Sequence, residues 1–248
     1  MPSTRLQLVK RIGNSMFFNK KKTIKLEVFG PSQQLIDLFP PTLIKSTLPD
    51  WYKNMPKSKG SNNVSHCLGL RELYSQGIML PLWSDYEIDL TPNGIAGIRW
   101  PSDNQGTSGA ESHNLDEQAP DAWPGYVNIK FKSPWLFYCS EPIQWIWTQP
   151  TWHQKHPQSF TNIPGSTEFK YQNQTNINTI WKLGSASRTE RLKAGDPMVH
   201  LIPITERPVE LEIGIMTDAV YAAKFARWNY AFNKPYQRLR QDFEKREQ

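Results

Sequence analysis

Short alternations of apolar and polar residues recur along most of the chain and predict β-strands. The segments 23–29 (TIKLEVF), 86–90 (YEIDL) and 126–131 (YVNIKF) place apolar side chains at every second position, which is the period of a strand with one buried face. A turn signal at 91–94 (TPNG) predicts a hairpin after the second of them. Further candidate strands cover 78–82, 95–100, 135–139, 143–148, 160–165, 168–171, 179–183, 198–203 and 209–215.

Helical spacing is confined to short segments. Residues 33–39 predict a short helix that Pro40 stops, and residues 68–77 predict a second with Gly77 at its C-terminal cap. Asp218 is a candidate N-cap for a helix over 219–233. One face of that helix carries aromatic residues at spacings of four, three and four: Tyr221, Phe225, Trp228 and Phe232.

The order of these elements predicts a mostly β protein. Many short strands separated by turns are typical of a β-sandwich or jelly roll, or of the related double-stranded β-helix of cupins. The sequence therefore divides into an N-terminal arm (1–22), a β-sandwich domain (23–217) and an amphipathic helical tail (218–248). Residues 101–125, poor in apolar groups, predict a long loop inside that domain.

Composition excludes several classes of protein. The 248 residues include 20 prolines and 10 tryptophans, which argues against a coiled coil, a helical bundle or a wholly disordered chain. No apolar run has the length needed to span a bilayer. Cys67 and Cys139 are too few for a disulfide framework, and their apolar neighbours predict two buried free thiols in a reducing compartment.

The net charge of +6 belongs to the two ends of the chain. Residues 27–218 carry 15 basic and 20 acidic residues, whereas the last 30 residues carry seven basic and three acidic ones. The first 26 residues carry no acidic residue and seven basic ones, namely Arg5, Lys10, Arg11, Lys20, Lys21, Lys22 and Lys25. In the tail, the candidate contact residues are Lys224, Arg227, Arg238 and Arg240. Such ends attract nucleic acid or an acidic protein surface, or are simply solvated.

A run rich in tryptophan is the strongest local anomaly. Trp145 and Trp147 share one strand face, and Trp152 follows after a proline-containing turn. Trp51 and Tyr52 form a second aromatic pair early in the chain. Buried, these rings fill a core or a subunit interface, and exposed, they stack on sugars or bases.

The sequence offers few candidate metal-ligating or catalytic residues. His153, His156 and His200 are the first choice for a metal site, for example one that binds iron, but the close His-x-Asp/Glu arrangement is missing. No Gly-x-Ser-x-Gly elbow is present. Glu87 and Asp89 lie at strand spacing and form either an acid pair or a solvated strand face.

Five short blocks occur in a recognisable order: 48–53 (LPDWYK), 77–81 (GIMLP), 86–90 (YEIDL), 129–135 (IKFKSPW) and 193–204 (KAGDPMVHLIPI). Together they resemble an uncharacterised protein family of tailed bacteriophages, notably cyanophage-like phages of marine bacteria, and of some bacteria. The resemblance implies a phage-like origin and a place in the host cytoplasm before any assembly, and leaves open whether the protein enters the virion. It implies no catalytic residue.

These observations lead to three hypotheses of function. The leading one is a non-enzymatic phage structural or assembly protein without a cofactor, whose arm and tail contact neighbouring subunits or nucleic acid. The first alternative is a cupin-like, oxygenase-type enzyme that uses a divalent metal such as iron on a small metabolite. The second is a glycan-binding module that uses the Trp145, Trp147 and Trp152 cluster.

Overall fold

Strands dominate the computed structural model, which describes residues 22–56, 63–101, 109–113, 119, 122–154, 159–225, 241, 244 and 245. Within these residues fourteen strands are present: β1 Ile24–Gly30, β2 Thr42–Leu43, β3 Ile78–Pro81, β4 Tyr86–Thr91, β5 Gly94–Arg99, β6 Ala110–His113, β7 Tyr126–Tyr138, β8 Gln144–Thr148, β9 Phe160–Asn162, β10 Gly165–Glu168, β11 Gln174–Lys182, β12 Arg188–Leu192, β13 Pro197–Pro203 and β14 Val209–Ile215. The α-helices are α1 Gln33–Leu38, α2 Asp50–Lys53, α3 Leu68–Leu73 and α4 Asp218–Lys224. Short 3-10 helices cover Ile44–Ser46, Val64–His66 and Thr151–His153.

The strands form three sheets. A six-stranded sheet has the order β14-β1-β7-β11-β9, with β6 also paired to β7. A five-stranded sheet has the order β10-β8-β13-β3-β2, and a three-stranded sheet has the order β12-β4-β5. Only the β1–β14 pair is parallel among the described strand pairs. The thirteen residues of β7 are long enough for β1 and β6 to pair with separate parts of the strand.

A single hydrophobic cluster joins the three sheets. Its members include Leu26 and Phe137 from the six-stranded sheet, Leu80 and Trp145 from the five-stranded sheet, and Ile88 from the three-stranded sheet. Burial of this apolar surface is the main source of stability in such a fold. The mostly β, sandwich-like class with a short helix towards the C-terminal end is therefore confirmed, while the jelly-roll or cupin type stays a prediction.

On the regular strands, the alternation of apolar and polar residues correctly predicts which side chains are buried. In β4, Tyr86 and Ile88 are buried whereas Glu87 and Asp89 are partly exposed, as the pattern predicts. Both carboxylates form ion pairs with Arg99 of β5. The prediction of a solvated strand face is confirmed for these two residues.

Two predicted strands, 126–131 and 135–139, are one continuous strand. Pro134 interrupts the pattern because it lacks an N–H group for the ladder. The pairing of β11 with β7 shifts register between Gln174 and Asn176, opposite this proline. The bulge accommodates the missing donor, so the strand continues instead of ending.

Several local predictions are wrong. The N-cap of α4 is Thr217, whose hydroxyl accepts from the N–H of Val220, and not Asp218. The strand predicted over 168–171 is a turn after Glu168, the last residue of β10. The stretch 101–125 was expected to be a loop, but Ala110–His113 forms β6 because it pairs with β7. The helix predicted over 68–77 ends with Leu73. Gly77 instead has a φ of 85° and lies against the backbone of Leu201, where a Cβ would overlap the carbonyl oxygen.

The two cysteines differ in environment. Cys139 is buried, as predicted, at the end of β7. Cys67 is exposed, so the prediction of a buried thiol there is wrong. Cys67 follows a 3-10 helix and precedes α3 at the surface, where its apolar neighbour Leu68 is exposed as well.

Candidate functional site

Two distant segments bring three of the predicted aromatic residues together. Trp51 and Tyr52 lie on α2, and Trp152 lies on the 3-10 helix after β8. The ring centroids of Trp51 and Trp152 are 5.6 Å apart, and the indole Nε1 of Trp51 donates to the carbonyl oxygen of Trp152 at 3.0 Å. Trp51 is 37% exposed and Trp152 is 49% exposed. We call these three residues the aromatic surface.

A series of rings leads from this surface into the protein. The centroid of Tyr52 is 4.9 Å from that of Tyr74, which in turn is 4.9 Å from that of His153, and both contacts are edge-on. Tyr74 is buried, and burial raises its pKa to about 12. The Oη atom of Tyr74 and the Nε2 atom of His153 are both buried and have no hydrogen-bond partner within the described residues. The interior end of the cluster therefore holds two polar atoms whose hydrogen-bonding capacity is not satisfied within the described residues.

Tyr74 was not among the sequence candidates. It follows the last residue of α3, four positions after the buried Leu70, so its spacing is that of an ordinary core-facing helix residue. Its contact with His153 depends on two segments that are far apart in sequence. A pattern within one helix carries no signal for such a contact.

His153 and His200, which we call the histidine pair, lie on neighbouring segments: His200 is opposite Thr148 at the end of β8, and His153 lies on the 3-10 helix that follows that strand. His200 is buried in β13, between β3 and β8, and its Nε2 donates to the carbonyl oxygen of Gln76 at 2.8 Å. Burial lowers the pKa of His200. Burial, and secondarily the charge of His200, lower the pKa of His153 to about 4. Both rings are therefore neutral at pH 7.

A cavity of about 290 Å³ adjoins this histidine pair. His153 lines it together with mostly apolar side chains, among them Phe39, Met79 and Pro197. The parts of the chain that the structure describes contain no group of three or more His, Cys, Asp or Glu side chains that could hold a metal ion. His156, the third predicted ligand, lies outside the described residues.

The predicted tryptophan run does not form one surface. Trp145 is fully buried, 5.6 Å from the Phe169 ring, and belongs to the core. Trp147 is half-buried, and its ring lies against Gly165 of β10. Only Trp152 of this run is strongly exposed.

Several of the basic residues have acidic partners within the chain. Lys25 lies in β1 and pairs with Glu212 at 2.8 Å, and Lys224 of α4 pairs with Glu27 at 2.7 Å. The backbone carbonyl oxygen of Lys22 accepts a hydrogen bond from Arg207. The other predicted contact residues lie outside the described residues, namely Arg5, Lys10, Arg11, Lys20, Lys21, Arg227, Arg238 and Arg240.

Three of the five sequence blocks meet around this site. The block 48–53 supplies two residues of the aromatic surface, and the blocks 77–81 and 193–204 supply Met79 and Pro197 to the cavity and His200 to the histidine pair.

No protein-family model, curated protein or solved structure matches the chain. None of the described helices combines the length and the apolar character that crossing a membrane requires.

Proposed function

We propose that this chain is a non-enzymatic bacteriophage structural or assembly protein that binds a neighbouring protein subunit through the aromatic surface. The observation that carries the proposal is the exposure of Trp51 and Trp152, which are held together by a ring contact and a hydrogen bond. Rigid, solvent-accessible tryptophans bury a large area on binding at little cost in side-chain entropy. Such residues dominate the energetics of protein–protein interfaces.

The assignment to a phage rests on the resemblance of the five ordered blocks to a family of tailed phages. Its setting is the host cytoplasm, followed by the virion. The geometry of the site supports binding, because two partly exposed tryptophan rings lie side by side on it.

The first test locates the protein during infection. Virions of the phage that encodes the chain would be purified on a density gradient and analysed by quantitative mass spectrometry, together with capsid and tail assembly intermediates. We expect the protein at a fixed ratio to a known structural protein in virions or in intermediates. Its presence in infected-cell lysate alone would refute the proposal.

The second test addresses the aromatic surface itself. A phage that lacks the gene would be complemented with wild-type protein, Trp152→Ala, or Trp123→Ala. Trp123 is a matched control because it is 53% exposed but does not belong to the aromatic surface. Loss of an interface tryptophan costs roughly 2 kcal/mol or more of binding free energy, so Trp152→Ala should strongly reduce incorporation and infectious titre. Equal incorporation of both variants, with equal thermal stability, would contradict the role of this surface.

The basic ends are proposed as a second contact region, for subunits or for nucleic acid. Because Lys25 and Lys224 are paired within the chain, the basic residues of segment 1–21 are the better candidates. Binding of a DNA duplex by the full chain would be compared with binding by a variant in which Arg5, Lys10 and Arg11 are changed to Gln. Electrostatic contacts predict weaker binding and a smaller dependence on salt in the variant.

A metal-dependent enzyme is the second candidate, because two of the three predicted ligands, His153 and His200, lie on neighbouring segments. Two histidines are fewer than the three protein ligands of a typical catalytic site. The test is metal analysis of the purified protein with His200→Ala as control. Stoichiometric iron, manganese or zinc that is lost in the variant would favour the enzyme. If the wild-type protein holds none of these metals, this alternative is refuted.

A further inference from the structure

A second concave region lies at one end of the three-stranded sheet, apart from the aromatic surface. It forms where β4 begins, with Asp85 just before it, and where β5 and β12 end, followed by Trp100 and Lys193. The cleft has a volume of about 300 Å³, at the lower end of the range for small-molecule sites. We call it the Trp100 cleft.

Trp100 gives this cleft a flat apolar wall. Its indole ring is 40% exposed, although it contacts Gly109 so closely that a Cβ there would lie 2.8 Å from Cζ2. The ring centroid is 6.2 Å from that of the buried Tyr86. The indole is therefore supported from within the protein while part of its surface faces solvent, as in a stacking platform.

Charged groups beside the ring are arranged in pairs. Glu87 accepts hydrogen bonds from Arg99 at 3.1 Å and from Arg191 at 2.9 Å, and Asp85 pairs with Lys193 at 3.2 Å. Arg99 also pairs with Asp89, outside the lining of the cleft. The lining thus holds three cations and two carboxylates, and Asp89, just outside it, is a third carboxylate that pairs with Arg99.

The hydrogen bonds of these pairs also favour the ionised carboxylates. The side-chain hydrogen bonds of Arg191 and Arg99 lower the pKa of Glu87, and a backbone hydrogen bond from Ala194 is the main cause of the lowered pKa of Asp85. Both carboxylates stay ionised at neutral pH. The cleft therefore presents paired hydrogen-bond acceptors and donors together with an exposed indole.

We propose that the Trp100 cleft binds a neutral carbohydrate, one or two sugar rings at the end or in the middle of a glycan. A pyranose has one apolar face of C–H groups that fits an indole, and a rim of hydroxyl groups that each donate and accept. Paired carboxylate and guanidinium groups satisfy such hydroxyls in both directions without a change of charge. This function is separate from the subunit contact proposed above, and it does not use Trp145, Trp147 or Trp152.

Anionic ligands fit the same cleft less well. A phosphate or a nucleic-acid backbone would approach Asp85 and Glu87, and it would have to displace them from their cationic partners. Recognition of phosphate normally uses basic side chains that are free of carboxylates. The paired charges thus select against anions and leave an uncharged, hydroxyl-rich ligand as the best fit.

The experiment is a glycan array followed by titration calorimetry on the full-length chain. The array would carry neutral hexose and N-acetylhexosamine oligosaccharides, sialylated and sulfated glycans, and a single-stranded oligothymidine control. We expect binding to at least one neutral oligosaccharide. Trp100→Ala should weaken that binding by roughly tenfold or more, as the loss of an aromatic stacking contact of about 1.4 kcal/mol implies.

Two further variants keep the test decisive. Trp123→Ala removes a tryptophan that is more exposed than Trp100 and does not line the cleft, and it should leave affinity unchanged. Arg191→Ala should weaken binding several-fold even if Trp100→Ala fails to fold, because the Arg191 side chain is 67% exposed and its loss opens no cavity. Binding to no neutral glycan, binding to anionic probes alone, or unchanged affinity in both cleft variants would overturn the proposal.

Discussion

Trp51 and Trp152 are separated by 101 positions in sequence, yet the indole N–H of the first donates to the backbone carbonyl of the second. This bond joins α2 to the 3-10 helix that follows β8. It orients the Trp51 ring, and the Trp152 ring contacts that ring with its centroid 5.6 Å away. The aromatic surface is therefore a fixed patch, and its geometry depends on one donor atom.

Trp51→Phe tests the contribution of that donor. The phenyl ring keeps most of the contact with Trp152 but has no N–H group, so the free energy of unfolding should fall by about 0.5–1 kcal/mol. Urea denaturation followed by circular dichroism measures the change. Trp123→Phe is the control for loss of an exposed indole, and an equal loss of stability in both variants would contradict a specific role for the Trp51 hydrogen bond.

Gly165→Ala tests the packing of Trp147. Gly165 pairs with Trp147 across β10 and β8, and a Cβ at this position would overlap the indole ring. Overpacking of this type costs about 1–3 kcal/mol, which denaturant unfolding would detect. The control is Gly69→Ala on α3, where no atom lies within 4 Å of the added Cβ and where alanine stabilises a helix by about 0.5–1 kcal/mol.

A double-mutant cycle separates the clash from a general cost of losing glycine. If the overlap with the Trp147 ring is the cause, Gly165→Ala should destabilise a Trp147→Leu background much less than it destabilises the wild type. An unchanged cost in that background would place the strain in the backbone of β10 instead.

Regular strands could be predicted from the sequence, whereas strands defined by their partners could not. The alternation of β4 and the bounds of β14 follow from local pattern, since one side of each strand contacts the core. In contrast, β12 (RTERL) has a single large apolar residue, Leu192, at its end. It pairs with β4 over its whole length, and Arg191 and Thr189 lie opposite Glu87 and Asp89 and bond to them, a complementarity that is invisible in either segment alone.

In the candidate site, too, some residues could be predicted from the sequence and others could not. Residue type alone selected Trp51, Trp152 and the pair His153 and His200, because exposed tryptophans and paired histidines are uncommon without a reason. Tyr74, which connects these groups, has the spacing of an ordinary helix residue and was missed. The burial of Trp145 beside the exposure of Trp152 also depends on which loop covers each ring, and such long-range packing lies outside any local pattern.

Arg207→Gln tests how the start of β1 is held. The Arg207 guanidinium donates to both carboxylate oxygens of Glu141, at 2.6 and 2.8 Å, and to the carbonyl oxygens of Lys22 and Thr23, at 2.6 and 3.1 Å. Planar bidentate geometry of this kind is specific to arginine. Amide exchange at Ile24, whose N–H bonds to Pro208, should therefore become several-fold faster in the variant.

Glu141→Gln provides the graded comparison. It retains one acceptor for Arg207 and leaves the two carbonyl contacts in place, so its effect on exchange at Ile24 should be smaller than that of Arg207→Gln. Exchange rates at Ile24 that match the wild type in both variants would show that the parallel β1–β14 pairing alone fixes this end of the strand.

His153→Gln tests the acid sensitivity of the buried cluster. Burial, with a smaller effect of His200, lowers the pKa of His153 from 6.5 to about 4. The unfolded chain therefore binds a proton at a higher pH than the folded protein does, and stability is complete above pH 6.5 and is lost as the pH falls towards 4. After allowance for solvent screening, the loss should be roughly 1–2 kcal/mol for this residue.

Urea denaturation at pH 7.5 and pH 4.5 should show a smaller stability difference in His153→Gln than in the wild type. A pH dependence that His153→Gln leaves intact would assign the acid sensitivity to His200 or to other groups.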